Sequence, residues 1–181
     1  METILSIFCY NDYTRHELQV MTFKFCLDKT DDLTAARLGT LTTSHGVTAT
    51  PAFMPVRTRA TVKTLSSDEI SRIGFNLILS NAYHLYLRPG HKFMESFGGL
   101  HKFMNWSGGI LTDSGGFQIF SLAKLRKITD DGALFQSHID GSEHLFTPEL
   151  SLSVHESLGS DIIMCLDDVR GYPFSQSDAL A

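Results

Sequence analysis

Two short apolar runs in this chain end in carboxylates. Ile110-Leu111-Thr112 leads into Asp113-Ser114-Gly115-Gly116, followed by Phe117 and Gln118. Ile162-Ile163-Met164-Cys165-Leu166 leads into Asp167-Asp168. An apolar run that empties into polar residues and a glycine pair reads as a buried strand entering a tight loop. Active sites of parallel α/β proteins lie at the carboxyl ends of such strands. Two acids there can divide proton transfer and base recognition between them, or one is buried while the other is solvated. Taken alone, residues 110–118 read equally well as a strand followed by a plain turn.

Other groups with chemical potential are more scattered. Tyr83-His84 follows Ser80-Asn81 at the end of another apolar run, and Arg88-Pro89-Gly90 comes soon after. Arg88 is placed to hold a phosphate or a carboxylate, and Pro89-Gly90 sets a turn. The plain reading of His84 is a structural histidine bonded by one ring nitrogen to the backbone. Arg57, Arg59 and Lys63 form one local basic patch, and Lys124, Arg126 and Lys127 form another. Each set faces phosphate or is simply solvated. The cysteines Cys9, Cys26 and Cys165 are too far apart for a CxxC metal pair or a disulfide-dense scaffold. A reducing, cytoplasmic setting fits them. No GxGxxG or GxxxxGK segment occurs, so a dinucleotide or nucleoside triphosphate site is not indicated.

Composition sets the frame for these groups. The chain has 181 residues, 43% of them hydrophobic, which suffices for one domain with a real core. A formal net charge of -5 argues against a uniformly basic nucleic-acid surface and leaves room for a local basic patch. No run approaches the roughly 18 apolar residues of a membrane span. Met1–Tyr10 is too short and too acidic at its start for a secretory signal.

The elements that must position the acids follow from local pattern. Met1–Val20 lacks a clear period and is expected to be a poorly ordered extension, with the domain occupying residues 21–181. Thr22–Leu27 reads as a first strand and Asp28–Arg37 as a connection. Leu38–Thr48 reads as two short strands turning at His45-Gly46. Phe53–Val56, Phe75–Leu79, Ile110–Thr112 and Ile162–Leu166 are strand candidates separated by helical or irregular connections, as in βα units. Ser66 with Glu69 marks a capping box, and Gly74 a stop. His91–Phe103 reads as helical, broken at Gly98-Gly99, with Phe93, Met94 and Phe97 as a core stripe. Asp140-Gly141 marks a hairpin between Ala133–Ile139 and His144–Phe146. Thr147-Pro148-Glu149 opens a helix that runs to Leu158 and stops at Gly159. This rhythm suits an open α/β sheet or part of a (β/α)8 barrel. A whole barrel takes roughly 250 residues, so this length holds about half of one.

Several segments together resemble the amino-terminal half of a tRNA-guanine transglycosylase, the queuine tRNA-ribosyltransferase family. They are TPAFMPV (Thr50–Val56), TVK (Thr61–Lys63), NAYHLYLRPG (Asn81–Gly90) and GGLHKFM (Gly98–Met104). They continue with ILTDSGGFQIFSL (Ile110–Leu122), SHIDGSEHLFTPE (Ser137–Glu149) and LGSDIIMCLDD (Leu158–Asp168). The resemblance implies α/β architecture: about the first half of a (β/α)8 TIM barrel, with an antiparallel lead-in and a β-hairpin insertion. It implies exchange of guanine at the wobble position of tRNA for a 7-deazaguanine, through a covalent link between an enzyme carboxylate and ribose C1′. Asp113 then matches a general acid or base beside the reacting nucleoside. Ser114 is its pocket neighbour, and Asp167 recognises the guanine-type base. Gln118, Tyr83 and His84 are pocket support, with Tyr83 able to cover the flat face of the base. Asp161 is a structural acid at a strand start.

The resemblance also implies what lies elsewhere. The nucleophilic aspartate and a zinc site of three cysteines and a histidine have no matching positions before Ala181. The chain alone is therefore expected to be an inactive fragment of a cytoplasmic enzyme, a homodimer when full length, whose partners are tRNA and the base. Two positions depart from the family pattern. Arg57 replaces a usual Gly and is expected to crowd a loop near the pocket. Val169 stands where a Cys is frequent, so the pocket wall is expected to differ. These departures also motivate a noncatalytic tRNA-binding or partner subunit. An unrelated α/β barrel enzyme acting on a small phosphorylated metabolite is the third reading.

Overall fold

The computed structural model describes residues 23–122, 125–169 and 171–177. The expected extension over Met1–Val20 lies outside the described residues. The lead-in is a three-stranded antiparallel meander of β1 (Lys24–Thr30), β2 (Arg37–Thr43) and β3 (Gly46–Thr50). Its tight β2–β3 turn pairs Thr43 with Gly46.

Next come β4 (Val56–Arg57), α1 (Ser67–Ile73), β5 (Leu77–Ser80), α2 (Ala82–Leu87), α3 (His91–Phe97), α4 (Gly99–Met104) and β6 (Gly109–Thr112). The capping box at Ser66 is present in full. Ser66 Oγ accepts from the Glu69 amide at 3.2 Å, and the Glu69 carboxylate accepts from the Ser66 amide at 2.7 Å. The chain then adds α5 (Gly116–Leu122), β7 (Arg126–Thr129), β8 (Gly132–Gln136), β9 (Glu143–Phe146), α6 (Pro148–Leu158) and β10 (Ile162–Ile163). Thr147 caps α6 by accepting from the Leu150 amide at 3.1 Å, with Pro148 at the first helical position.

The site rests on a four-stranded sheet in the order β10-β6-β5-β4. Every neighbour in it is parallel, with Arg57 opposite Ser80, Ser80 opposite Thr112, and Thr112 opposite Ile163. Strands in such a sheet bury both faces, which is why LILS and GILT are short and apolar. Ile78 and Ile110 are fully buried with Leu85, Met94, Leu100, Val154 and Leu158 from the helices. The architecture is therefore mixed α/β around a parallel sheet.

The structure differs from the sequence expectation in several places. Of the expected core stripe only Met94 is buried; Phe93 and Phe97 are 46% and 52% exposed, because the seven-residue α3 packs a single face. The strand expected over Phe53–Val56 is the two-residue β4, and the one expected over Ile162–Leu166 closes at Ile163. Past Ile163 one further bond joins the chain to β6, from the Met164 amide to the Thr112 carbonyl at 3.1 Å, and the apolar run then continues outside the sheet. The expected hairpin is a three-stranded meander, β7-β8-β9, because Arg126–Thr129 pairs with Gly132–Phe135. Arg126 and Lys127 thus stand on a strand, and Lys124 lies outside the described residues. Arg126 folds over the Phe120 ring at 4.3 Å from its centroid.

Arg57 does not crowd a loop at the pocket. It is 2% exposed and its Nη1 donates to Ser67 Oγ at 3.0 Å. Its guanidinium lies 5.3 Å from the Trp106 ring centroid, a cation–π contact that favours a desolvated guanidinium. Arg59, Lys63 and Arg88 are exposed.

Candidate active site

Parallel pairing of β6 and β10 sets their carboxyl ends side by side. Asp113 and Ser114 leave one strand, and Asp167 follows the other. Ser114 Oγ donates to Asp167 Oδ1 and accepts from the Gly116 amide at 3.1 Å. Gly116 opens α5 directly beneath Asp167. A Cβ at Gly116 would collide with both the backbone oxygen and the carboxylate of Asp167. The glycine pair read as a turn signal is therefore also a close-approach device.

Asp113 points the other way, into the sheet. It accepts from the Ala82 amide at 2.8 Å, from Asn81 Nδ2, and from Gln118 Nε2 at 3.2 Å. Burial pushes its pKa up. The bonds from Asn81, Ala82 and Gln118 pull it down, and the nearby charge of Asp167 adds an upward push; the net direction is up. Asp167, by contrast, is exposed to solvent. One carboxyl is half-buried with raised proton affinity, and its neighbour is open to a ligand. That division is the pattern that separates proton transfer from recognition.

The supporting residues form a second layer. Tyr83 is 1% exposed and its hydroxyl pairs with His138 Nδ1 at 2.9 Å. Gly115, at φ 82°, lies so close that its Cβ would be 3.3 Å from the Tyr83 Cβ. Tyr83 therefore braces the loop from behind, and at that burial it does not cover a base. His84 meets Tyr83 and His138 edge-on, at 5.3 and 5.8 Å between ring centroids. Its Nδ1 is buried without a partner rather than bonded to backbone. Burial and the neighbouring charges of Arg59 and His138 keep its pKa low. Gln118 Oε1 is likewise buried and unpartnered.

Asn81, the Ala82 amide and His138 are contributors that the sequence reading passed over. Asn81 carried a usable signal, since it follows an apolar strand just as Asp113 does. A cavity of about 180 Å³ adjoins Asp167 and is lined by Phe120, Leu166, Asp168 and Val169 among others. Val169 thus stands in a cavity wall next to Asp167.

The described cysteines do not fit a zinc site of three cysteines and a histidine. Cys26 lies in β1 and Cys165 beyond β10, and both are free. Asp161 serves structure, as expected, by accepting from the Ile110 amide at 2.9 Å. Burial pushes its pKa up, but bonds from His101, His45 and Ile110 outweigh it and hold the group below the usual carboxylate value.

Fold and site together define a mixed α/β protein whose parallel strands deliver paired carboxylates to one edge. The family described as queuine tRNA-ribosyltransferase matches residues 31–181. A protein of that name from Desulforudis audaxviator is 62% identical over 151 residues, covering 83% of this chain and 41% of the relative. Another, from Caldanaerobacter subterraneus, is 61% identical over 150 residues, covering 83% of this chain and 40% of the relative. A third, from Pelotomaculum thermopropionicum, is 56% identical over 161 residues, covering 89% and 44%. The chain belongs to the queuine tRNA-ribosyltransferase family. It spans about two-fifths of the length of these curated relatives.

Proposed function

We propose that this chain supplies the base-binding edge of a tRNA-guanine transglycosylase, a pentosyltransferase that exchanges wobble guanine for a 7-deazaguanine. The observation that carries the reading is the pairing of a half-buried Asp113 with an exposed Asp167 across β6 and β10 in a chain of this family. The Asp167 carboxylate accepts from the ring N–H and the exocyclic amine of a guanine-type base, and Ser114 holds its inner oxygen in place. Two charge-assisted bonds in one plane favour that donor pair over a base lacking the amine.

Asp113 handles the proton. When ribose C1′ is attacked and its bond to guanine breaks, the departing base gains a proton. When the incoming base attacks C1′, a proton leaves it. A carboxyl with raised proton affinity and three hydrogen-bond partners suits both transfers. The attacking carboxylate has no assignment in this chain. By the same resemblance it comes from a later strand of a (β/α)8 barrel, of which residues 21–181 form about the first half. Zinc, homodimer formation and cytoplasmic location rest on that resemblance too. The described cysteines, Cys26 and Cys165, do not fit that zinc ligand set. Among the described residues, no helix is long and apolar enough to cross a membrane.

A noncatalytic tRNA-binding subunit was motivated by Arg57 and Val169. Arg57 is buried against Trp106, so it does not argue for an obstructed pocket. Incorporation of labelled guanine into tRNA by the full-length protein tests the catalytic reading. Absence of exchange, with folded protein and competent tRNA, would leave the noncatalytic one.

A further inference from the structure

A second constellation sits at the opposite ends of the same strands. His45 comes from the β2–β3 turn, His101 from α4, and Asp161 from just before β10. His45 Nδ1 lies 2.7 Å from Asp161 Oδ1, and His101 Nε2 lies 3.3 Å from Asp161 Oδ2. The two imidazoles stack with centroids 3.6 Å apart and an interplanar angle of 18°. Each ring thus aims one nitrogen at one oxygen of a single carboxylate. The three donor atoms all lie within 4.8 Å of one another.

We propose that His45, His101 and Asp161 bind a divalent transition-metal ion of the zinc class. Two imidazole nitrogens and one carboxylate oxygen are a donor set for such ions, with a position left for water. The Asp161 side chain is 2% exposed, so its charge is withdrawn from water and needs compensation. In the metal-free state, ring N–H groups supply it. A cation entering between the donors takes the place of those ring protons, and each neutral imidazole carries its proton on its other nitrogen instead. His101 Nε2 is also hydrogen-bonded to the Gly108 carbonyl at 3.0 Å, a bond that gives way when this nitrogen turns to the ion. Access comes from the His45 side, where the side chain is 41% exposed. There a cavity of about 410 Å³ is lined by Ser44, Glu156 and Ser160 among others, with room for coordinated water. The ion would fasten the lead-in meander to β10 and α4. This site contains no cysteine and is independent of base exchange.

The experiment is calorimetric titration of the EDTA-treated full chain with zinc chloride. One ion per chain is expected, together with a higher melting temperature in zinc. His45→Ala removes an accessible ligand and is expected to weaken binding at least about tenfold, with unchanged circular dichroism in EDTA. His101→Gln is the second variant, in case the first does not fold. X-ray absorption of the loaded chain should report nitrogen and oxygen neighbours only. Absence of stoichiometric binding, affinity untouched by either folded variant, or a sulfur neighbour would overturn the proposal.

Discussion

The Ser114 hydroxyl donates a hydrogen bond to the Asp167 carboxylate and so couples the ends of β6 and β10. It orients a group that is itself exposed. Removing it frees the carboxylate without removing its charge. Ser114→Ala in the full-length enzyme should raise KM for guanine about threefold to tenfold with kcat nearly unchanged, the loss of one hydrogen bond. Asp167→Asn replaces an acceptor with a donor toward the base amine and should cost about 10- to 100-fold in kcat/KM. Steady-state exchange kinetics separate the two.

Gly116 makes a steric prediction. Gly116→Ala inserts a methyl group where Asp167 now lies. Both the backbone oxygen and the carboxylate of Asp167 lie against that methyl position, so the contact between α5 and Asp167 must open. Base affinity should fall at least as far as for Ser114→Ala, while far-ultraviolet circular dichroism stays unchanged.

Asp113 predicts a pH signature. Its pKa is raised above the ordinary 3.8, first by burial and finally by the Asp167 charge. The acid limb of the exchange rate should therefore lie above pH 3.8 and move down when the Asp167 charge is removed. Asp113→Asn should lower kcat by about 10²–10⁴-fold and abolish that limb. A pH–rate profile of each variant checks both claims.

His155 gives a stability prediction. It is 1% exposed, and its Nδ1 pairs with Thr112 Oγ1 at 2.6 Å. Burial lowers its pKa from 6.5 to about 4, against a weaker upward push from the Met164 backbone. Between these values the unfolded chain binds the proton and the folded chain does not. Stability is therefore full above pH 6.5 and falls as pH drops towards about 4. The loss amounts to about 3 kcal/mol. Urea midpoints across this window should decline in the native chain and flatten in His155→Gln. Asp161 acts lower, since its depressed pKa removes stability only as pH falls below 3.8.

Much of this arrangement was legible in residue order. The apolar runs around Leu77–Ser80 and Gly109–Thr112, the Ser66 and Thr147 caps, and the break at Gly98-Gly99 all express local preference. Asp113 and Asp167 stood out because polar groups end buried strands. What was not legible depends on partners distant in sequence. Arg126–Thr129 carries two cations and became a strand only because Gly132–Phe135 folds back on it. Arg57 looked like a surface cation until Ser67 and Trp106 closed around it. His138 lies 55 positions from Tyr83, and no spacing rule connects them. His45 and His101 meet Asp161 from three separate elements, which hid them as a group.

The central claim is that Asp113 and Asp167 form the base-handling edge of a guanine-exchange site. The most direct measurement is incorporation of labelled guanine into tRNA by the full-length protein, beside its Asp113→Asn and Asp167→Asn variants. The account predicts exchange by the native protein and severe loss in both variants, with tRNA binding retained. Native-level exchange in either folded variant, or none in the folded native protein with competent tRNA, would contradict it.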